Sequence, residues 1–209
     1  MAAGAPRRHF SMLRDFHLAD LFTFANGFCG VAALFAAMRF LSSADRRYLY
    51  GAAALVPLAL VFDVLDGRVA RWRHATSPMG RELDSLADVI SFGVAPASLA
   101  FAAGMNGGWD ALVLVYFVCC GVSRLARYNV TAETLAAGSD KVKYFEGTPI
   151  PTSVALTALL AYAAWQGRIE GQLYFGVMTF GPWQLHSLVL LFALSGTLMI
   201  SKTLRIPKF

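Results

Sequence analysis

The chain has 209 residues, 57% of them hydrophobic and 15% charged, whereas soluble domains carry roughly 45–50% apolar and about 25% charged residues, so water is not its main solvent. Its formal net charge is +5, but the Lys and Arg residues stand at the ends of apolar runs rather than along one stripe, which argues against nucleic acid and for anionic lipid headgroups. The three cysteines, Cys29, Cys119 and Cys120, lie inside apolar stretches and read as packing residues, not as a metal or disulfide framework.

In chain order, residues 1–20 come first, a cytoplasmic segment carrying Arg7, Arg8 and Arg14. Within it Phe10, Leu13, Phe16, His17 and Leu21 recur at helical spacing, so 9–20 reads either as an amphipathic interfacial helix or as a frayed lead-in. No signal peptide is expected, because the following apolar run is long enough to span a membrane. A bilayer core about 30 Å thick needs about 20 mainly apolar residues per helix. Residues 21–209 divide into six such segments, at 21–41, 48–65, 85–104, 109–127, 151–165 and 183–201, the fifth being short. The fold expected is an all-α integral membrane protein of one domain, since lipid-exposed backbone must satisfy itself and no alternating barrel pattern occurs.

Six spans put both termini on one side of the membrane. Fourteen of the eighteen Lys and Arg residues fall on that side, and only Arg39, Arg46, Arg47 and Arg168 fall opposite. The positive-inside tendency therefore places both termini in the cytoplasm, and the membrane expected is the cell's inner (cytoplasmic) membrane. The longest polar connection, 130–149, contains the turn formers Gly138, Ser139, Asp140, Gly147 and Pro149, and faces the same side.

Asp63 and Asp66 close the second segment three residues apart, and Asp84 and Asp88 open the third at a spacing of four, so each pair shares a helix face. The short connection predicts antiparallel neighbouring helices, with four carboxylates converging near the cytoplasmic end. Each acid alone costs roughly 2.5–3.5 kcal/mol in a bilayer, and something positive must offset that. A structural network with Arg68, Arg71 and Arg73 is one solution. A hard divalent cation, Mg²⁺ or Mn²⁺, is the other, and four carboxylates without His or Cys suit a pair of such ions about 3.5–4 Å apart, an arrangement used in phosphoryl chemistry. The small residues Gly67, Ala70 and Gly80 would let a ligand approach the backbone. An ion transporter is the rival from another class, but the acids cluster at one end and no comparable site is visible opposite.

In full the segment reads Asp63-x-x-Asp66-Gly67-x-x-Ala70-Arg71, eight residues, then Gly80-x-x-x-Asp84-x-x-x-Asp88. That string resembles the signature of the CDP-alcohol phosphatidyltransferases, integral membrane enzymes of phospholipid synthesis. The resemblance implies transfer of a phosphatidyl group from a CDP-linked lipid to an alcohol, with release of CMP. It makes Asp63, Asp66 and Asp84 the principal metal ligands and Asp88 the general base, with some contact to metal. It also implies that Gly67, Ala70 and Arg71 line the CDP pocket, that Gly80 permits close approach, and that Asn26 of Asn26-x-x-x-Gly30 lies beside the nucleotide. A helix-packing role for Asn26 stays open. A homodimer is the further expectation.

Three segments resemble the phosphatidylserine synthase branch of that family: Ser91-Phe92-Gly93-Val94-Ala95-Pro96, Arg124-Leu125-Ala126-Arg127-Tyr128-Asn129, and Tyr144-Phe145-Glu146-Gly147-Thr148-Pro149-Ile150-Pro151. They imply L-serine as acceptor and CDP-diacylglycerol as donor. Serine needs a cation for its carboxylate, from Arg124 or Arg127, unless these are only orientation signals or lipid contacts. Tyr144, Glu146 and Thr148 are expected to bind the amino acid or close over the site. Glycerol 3-phosphate, inositol phosphate or choline are the alternative acceptors. The four histidines, His9, His17, His74 and His186, share no ligand spacing, and Trp109, Trp165 and Trp183 read as interface anchors.

Overall fold

The structure is a computed structural model, and it describes residues 18–72, 78–137, 144–201 and 205–207. The interfacial segment expected at 9–20 falls mostly outside those residues, as do Arg73 and His74. Helix α1 spans Leu18–Ser43 and α2 spans Arg46–Trp72. A two-residue connection joins them, and Asp45 caps α2 by accepting a hydrogen bond from the Arg47 amide at 2.9 Å. Small side chains let the pair pack closely: Cys29, Ala33 and Ala37 on α1 and Ala52, Val56 and Ala59 on α2 are all buried.

The third stretch is α3 (Pro78–Asp88), a π-helical turn (Val89–Val94) and α4 (Ala95–Ala102) in one continuous run. Pro96 explains the turn. It has no N–H to give the Phe92 carbonyl, and the ladder widens so that the Ala95 amide bonds the Ile90 carbonyl, five residues back. This stretch is the centre of the molecule, since 61% of its apolar window is buried against 28–33% in the other three long helices.

Helix α5 (Gly108–Ala137) follows, then strand β1 (Tyr144–Glu146), α6 (Ser153–Trp165), a hairpin of β2 (Val177–Phe180) and β3 (Trp183–His186), α7 (Leu190–Ile200) and β4 (Arg205–Pro207). Strand β1 pairs antiparallel with β4, which ties the chain after α5 to the tail after α7. Gly147 sits at φ +74, where an added Cβ would lie 2.3 Å from the Met199 carbonyl oxygen, so the crossing over the end of α7 requires glycine. Helices α5 and α7 pack through Phe117 and Phe192, edge to face at 5.2 Å.

The chain is a multi-pass, mostly helical membrane protein. Among the described residues, four stretches are long and apolar enough to cross a bilayer, Asp20–Ser43, Arg46–Trp72, Met79–Ala102 and Gly108–Val130, and two shorter apolar helices are Ile150–Trp165 and Ser187–Ile200. Several expected boundaries are corrected. The second, third and fourth helices run well past the apolar segments, because polar residues extend them beyond the hydrocarbon. The expected 130–149 loop is helical to Ala137. The segment expected to be helical over 183–201 begins instead as strand β3 and a 3₁₀ turn, and only Leu190–Ile200 is α-helix. Two small two-stranded sheets among the described residues thus qualify the all-α expectation.

Candidate active site

The second and third apolar segments were expected to be neighbours, and α2 does meet the third stretch, chiefly at α4 and the π turn. Helix α1 packs along α2 and also against α3, the π turn and α4. The acid-bearing parts of α2 and α3 therefore face one another over α1, and the space between them is the candidate cleft. On α1, Thr23, Asn26 and Gly30 recur at three and four residues and share one face. The Thr23 hydroxyl donates to Asp66. The Asn26 amide donates to Asp88 Oδ1 at 3.1 Å, and the Ser91 hydroxyl donates to the Asn26 carbonyl at 2.8 Å. At Gly30 an added Cβ would lie 2.8 Å from Ser91 Cα, so only glycine lets α1 approach the π turn this closely.

Across the cleft, Asp63 on α2 and Asp84 and Asp88 on α3 each place a carboxylate oxygen within 4.8 Å of the other two. Asp66 is buried and held by Thr23, close enough to Asp84 to interact with it. Among the described residues no Lys or Arg forms an ion pair with these four acids. Arg68 and Arg71 are exposed, and Arg71 lies back over Gly67, its guanidinium 3.6 Å from where a Cβ would stand. Of the cations proposed for a structural network, Arg68 and Arg71 thus form no ion pair with the four acids, and Arg73 lies outside the described residues. A hard divalent ion fits: the donor set is all carboxylate oxygen, and Asp84 Oδ1 is buried without a hydrogen-bond partner.

Arg124 of α5 is a cation within electrostatic reach of Asp88, and its Nε is buried and unpartnered. Arg127 turns elsewhere, its guanidinium 3.5 Å from the Ile200 carbonyl at the end of α7. Ala70 and Gly80 are half-buried on α2 and α3. Thr148 gives its amide to Leu198 and keeps a buried hydroxyl without a partner. Tyr144 and Glu146 lie in β1, paired with Pro207 and Arg205 of β4.

Some residues beside the acids were given no role of their own by the sequence reading, although Ser91 and Asn129 lie in two of the segments it singled out. Asp20 is a further buried carboxylate near Asp66. Thr23 and Ser91 orient the acids and the asparagine beside them. Asn129 of α5 donates to Ser85 Oγ at 3.0 Å and to Glu82 Oε1 at 3.2 Å, clamping α3 to α5 next to Asp84. The available signal was Thr23 and Asn26 on one face of an otherwise apolar helix.

The model of the CDP-alcohol phosphatidyltransferase family matches residues 16–198, nearly the whole described chain. The chain belongs to that family. It is therefore a transferase, and its CDP-alcohol phosphatidyltransferase signature supplies the acids that converge on the cleft. The chain is 46% identical over 203 residues to a CDP-diacylglycerol–serine O-phosphatidyltransferase of Saccharomyces cerevisiae, covering 96% of this chain and 74% of that protein. Enzymes of the same name match from Helicobacter pylori, 41% identical over 67% of this chain and 55% of the relative, and from Methanocaldococcus jannaschii, 33% identical over 70% and 61%. The chain thus spans little more than half the length of those last two relatives.

Proposed function

We propose that the chain transfers the phosphatidyl group of CDP-diacylglycerol to L-serine, giving phosphatidylserine and CMP. The observation that carries this is the convergence of Asp63, Asp84 and Asp88 within 4.8 Å, with Arg124 alongside. Asp63, Asp66 and Asp84 would hold Mg²⁺ or Mn²⁺, as two ions, with Asp88 at the edge of the same set. When bound there, such ions would supply positive charge to offset the diphosphate and the departing CMP.

Asp88 takes the proton of the serine hydroxyl as its oxygen forms a bond to phosphorus and the bond from phosphorus to CMP breaks. Asn26 holds the Asp88 carboxylate in place through its 3.1 Å hydrogen bond. Arg124 draws the serine carboxylate towards the same volume, its unpartnered Nε supplying a donor. Gly67, Ala70, Arg71 and Gly80 line the nucleotide side, where Arg71 folded over Gly67 can swing to the diphosphate. Arg127, Tyr144, Glu146 and Thr148 belong to the acceptor side of this reading, although Arg127 also closes the end of α7.

In this reading all six apolar helices cross the membrane, with both termini and the cleft facing the cytoplasm of a cell's inner membrane. The distribution of Lys and Arg supports that orientation. The protein works as a homodimer, an expectation from the family that crosslinking in membranes checks.

The decisive experiment is an acceptor screen with purified protein in lipid, measuring CMP release from CDP-diacylglycerol. L-Serine with Mg²⁺ or Mn²⁺ is expected to give phosphatidylserine, and a chelator is expected to abolish it. Release with glycerol 3-phosphate, inositol phosphate or choline in place of serine overturns only the acceptor. No release with any acceptor and either metal overturns the enzymatic reading, and metal uptake into vesicles would then favour transport.

A further inference from the structure

At the end of the molecule opposite the aspartates, the connection from α6 to α7 folds into the β2–β3 hairpin. Strand β2 is exposed at all four positions, so side chains on both faces of the ribbon are uncovered. Those side chains are mostly apolar. Phe175 is 81% exposed, Phe180 55% and Trp183 45%, with Val177 and Met178 beside them. From 171 to 201 the chain has no Asp, Glu, Lys or Arg. The ribbon is two-sided: Met178, Phe180, Trp183 and Leu185 share one largely uncovered and wholly apolar face, while Val177, Thr179, Gln184 and His186 share the other.

The hairpin is rigidly placed. Both Asp110 oxygens, at the start of α5, are engaged by it: Oδ1 accepts from the His186 amide at 2.7 Å, and Oδ2 lies 2.6 Å from His186 Nδ1. The Trp109 indole donates to the Phe180 carbonyl at 3.0 Å and packs edge to face on Trp183 at 5.2 Å. Gly108 leaves room for the Trp183 ring, which a Cβ there would meet at 2.6 Å. The exposed apolar residues are thus held in a defined orientation, continuous with the lipid-facing Leu112, Val115 and Tyr116 of α5.

The adjoining helices explain why such an element is present. The 13 residues of α6 and 11 of α7, with their 3₁₀ lead-ins, reach about 26 and 23 Å, short of the roughly 30 Å hydrocarbon core. Among the described residues no strand pairs with the outer edge of β2, an arrangement that the hydrocarbon interior does not tolerate but the wet headgroup boundary does. Trp109 and Trp183 are the residue type that settles at that boundary.

We propose that the β2–β3 hairpin is an interfacial membrane anchor, seated with Phe175, Met178 and Phe180 at the headgroup–acyl boundary of the leaflet opposite the active site. It extends two short helices to the full depth of the bilayer and caps the far end of the bundle. The occupant of its apolar surface is lipid, not a second copy of the chain. The proposal rests on the six-crossing topology given above.

Nitroxide labels at Phe175→Cys and Met178→Cys test it, in a Cys119→Ser background reconstituted in phosphatidylcholine–phosphatidylglycerol vesicles, with Ser42→Cys as the aqueous control at the same end. Cys29 and Cys120 are buried and stay unlabelled. Both hairpin labels are expected to show an oxygen-to-nickel-complex collision ratio several-fold above that at Ser42, with CMP release unchanged. A ratio equal to that at Ser42 means a water-exposed loop and overturns the proposal. Protection from both reagents means a protein-covered surface and overturns it equally. Sidedness is read separately with a membrane-impermeant reductant on vesicles of one orientation. Lipid-like collision ratios on the same side as the aspartates would overturn the topology and the leaflet assignment.

Discussion

The two ends of this protein each bury carboxylates, and they differ in what those carboxylates lack. Asp110 is fully buried and saturated: the Gly107 amide, the His186 amide and the His186 ring account for both of its oxygens. The acids of the cleft are more numerous and under-satisfied, with Asp84 Oδ1 and Arg124 Nε buried and unpaired within one small volume. Buried polar groups are normally paired, so a cluster of unpaired ones marks a place that a ligand completes. The far end is a closed joint, and the near end is an open site.

The sharpest way to break this contrast is to remove one acid from each end. Asp88→Asn keeps shape and the Asn26 contact region but removes the proton acceptor. CMP release should fall by about 10³-fold, within the range ascribed to general-base catalysis, while metal-dependent binding of CDP-diacylglycerol persists. Loss of that binding as well would make Asp88 mainly a metal ligand.

The matching change at the far end is Asp110→Ala. It leaves the His186 ring and two amides without their acceptor, and breaking a buried pair in this way costs about 3 kcal/mol or more. The expected result is a fall in Tm on the order of 10 °C, read by thermal unfolding in detergent, with the KM for serine and the metal dependence of the remaining folded enzyme unchanged. A specific change in metal dependence without a change in Tm would mean that the two ends are coupled and the contrast is wrong.

Much of the cleft was legible because Asp63, Asp66, Asp84 and Asp88 are charges in an apolar chain, and helical periodicity alone puts each pair on one face. What periodicity does not carry is which helix lies between others. That α1 floors the cleft follows from Gly30 meeting the backbone at Ser91, a contact between residues far apart in sequence that no local pattern encodes. The far end was misread for a related reason. His186 shares no spacing with another ligand type, and its partner Asp110 is distant along the chain, so the pair exists only after α5 and β3 are docked. The apolar run at 183–201 was taken as a helix because a short apolar stretch has the same composition in a strand and in a helix. Its first four residues pair with β2 instead, where the Gly181-Pro182 turn, with Gly181 at φ +61, reverses the chain.

The smallest expected effect separates two arginines that the sequence treats alike. Arg124 and Arg127 are one helical turn apart on α5, and either could have met the serine carboxylate. The structure gives them different neighbours: Arg124 faces Asp88 with an unpaired Nε, and Arg127 faces the carbonyl end of α7. A charged hydrogen bond to substrate is worth about 1.5–3 kcal/mol, so Arg124→Ala should raise the KM for serine by about 10- to 100-fold with the KM for CDP-diacylglycerol little changed. Arg127→Ala should lower Tm by a few degrees, the loss of a cation at a helix C-terminus contributing about 1 kcal/mol or less, and leave the KM for serine close to its original value. If Arg127→Ala raises the serine KM as strongly as Arg124→Ala, both guanidiniums contact the acceptor and the α7 contact is not the role of Arg127. If neither moves it, the cation for the serine carboxylate lies outside α5 and the open end is completed by donor and metal alone.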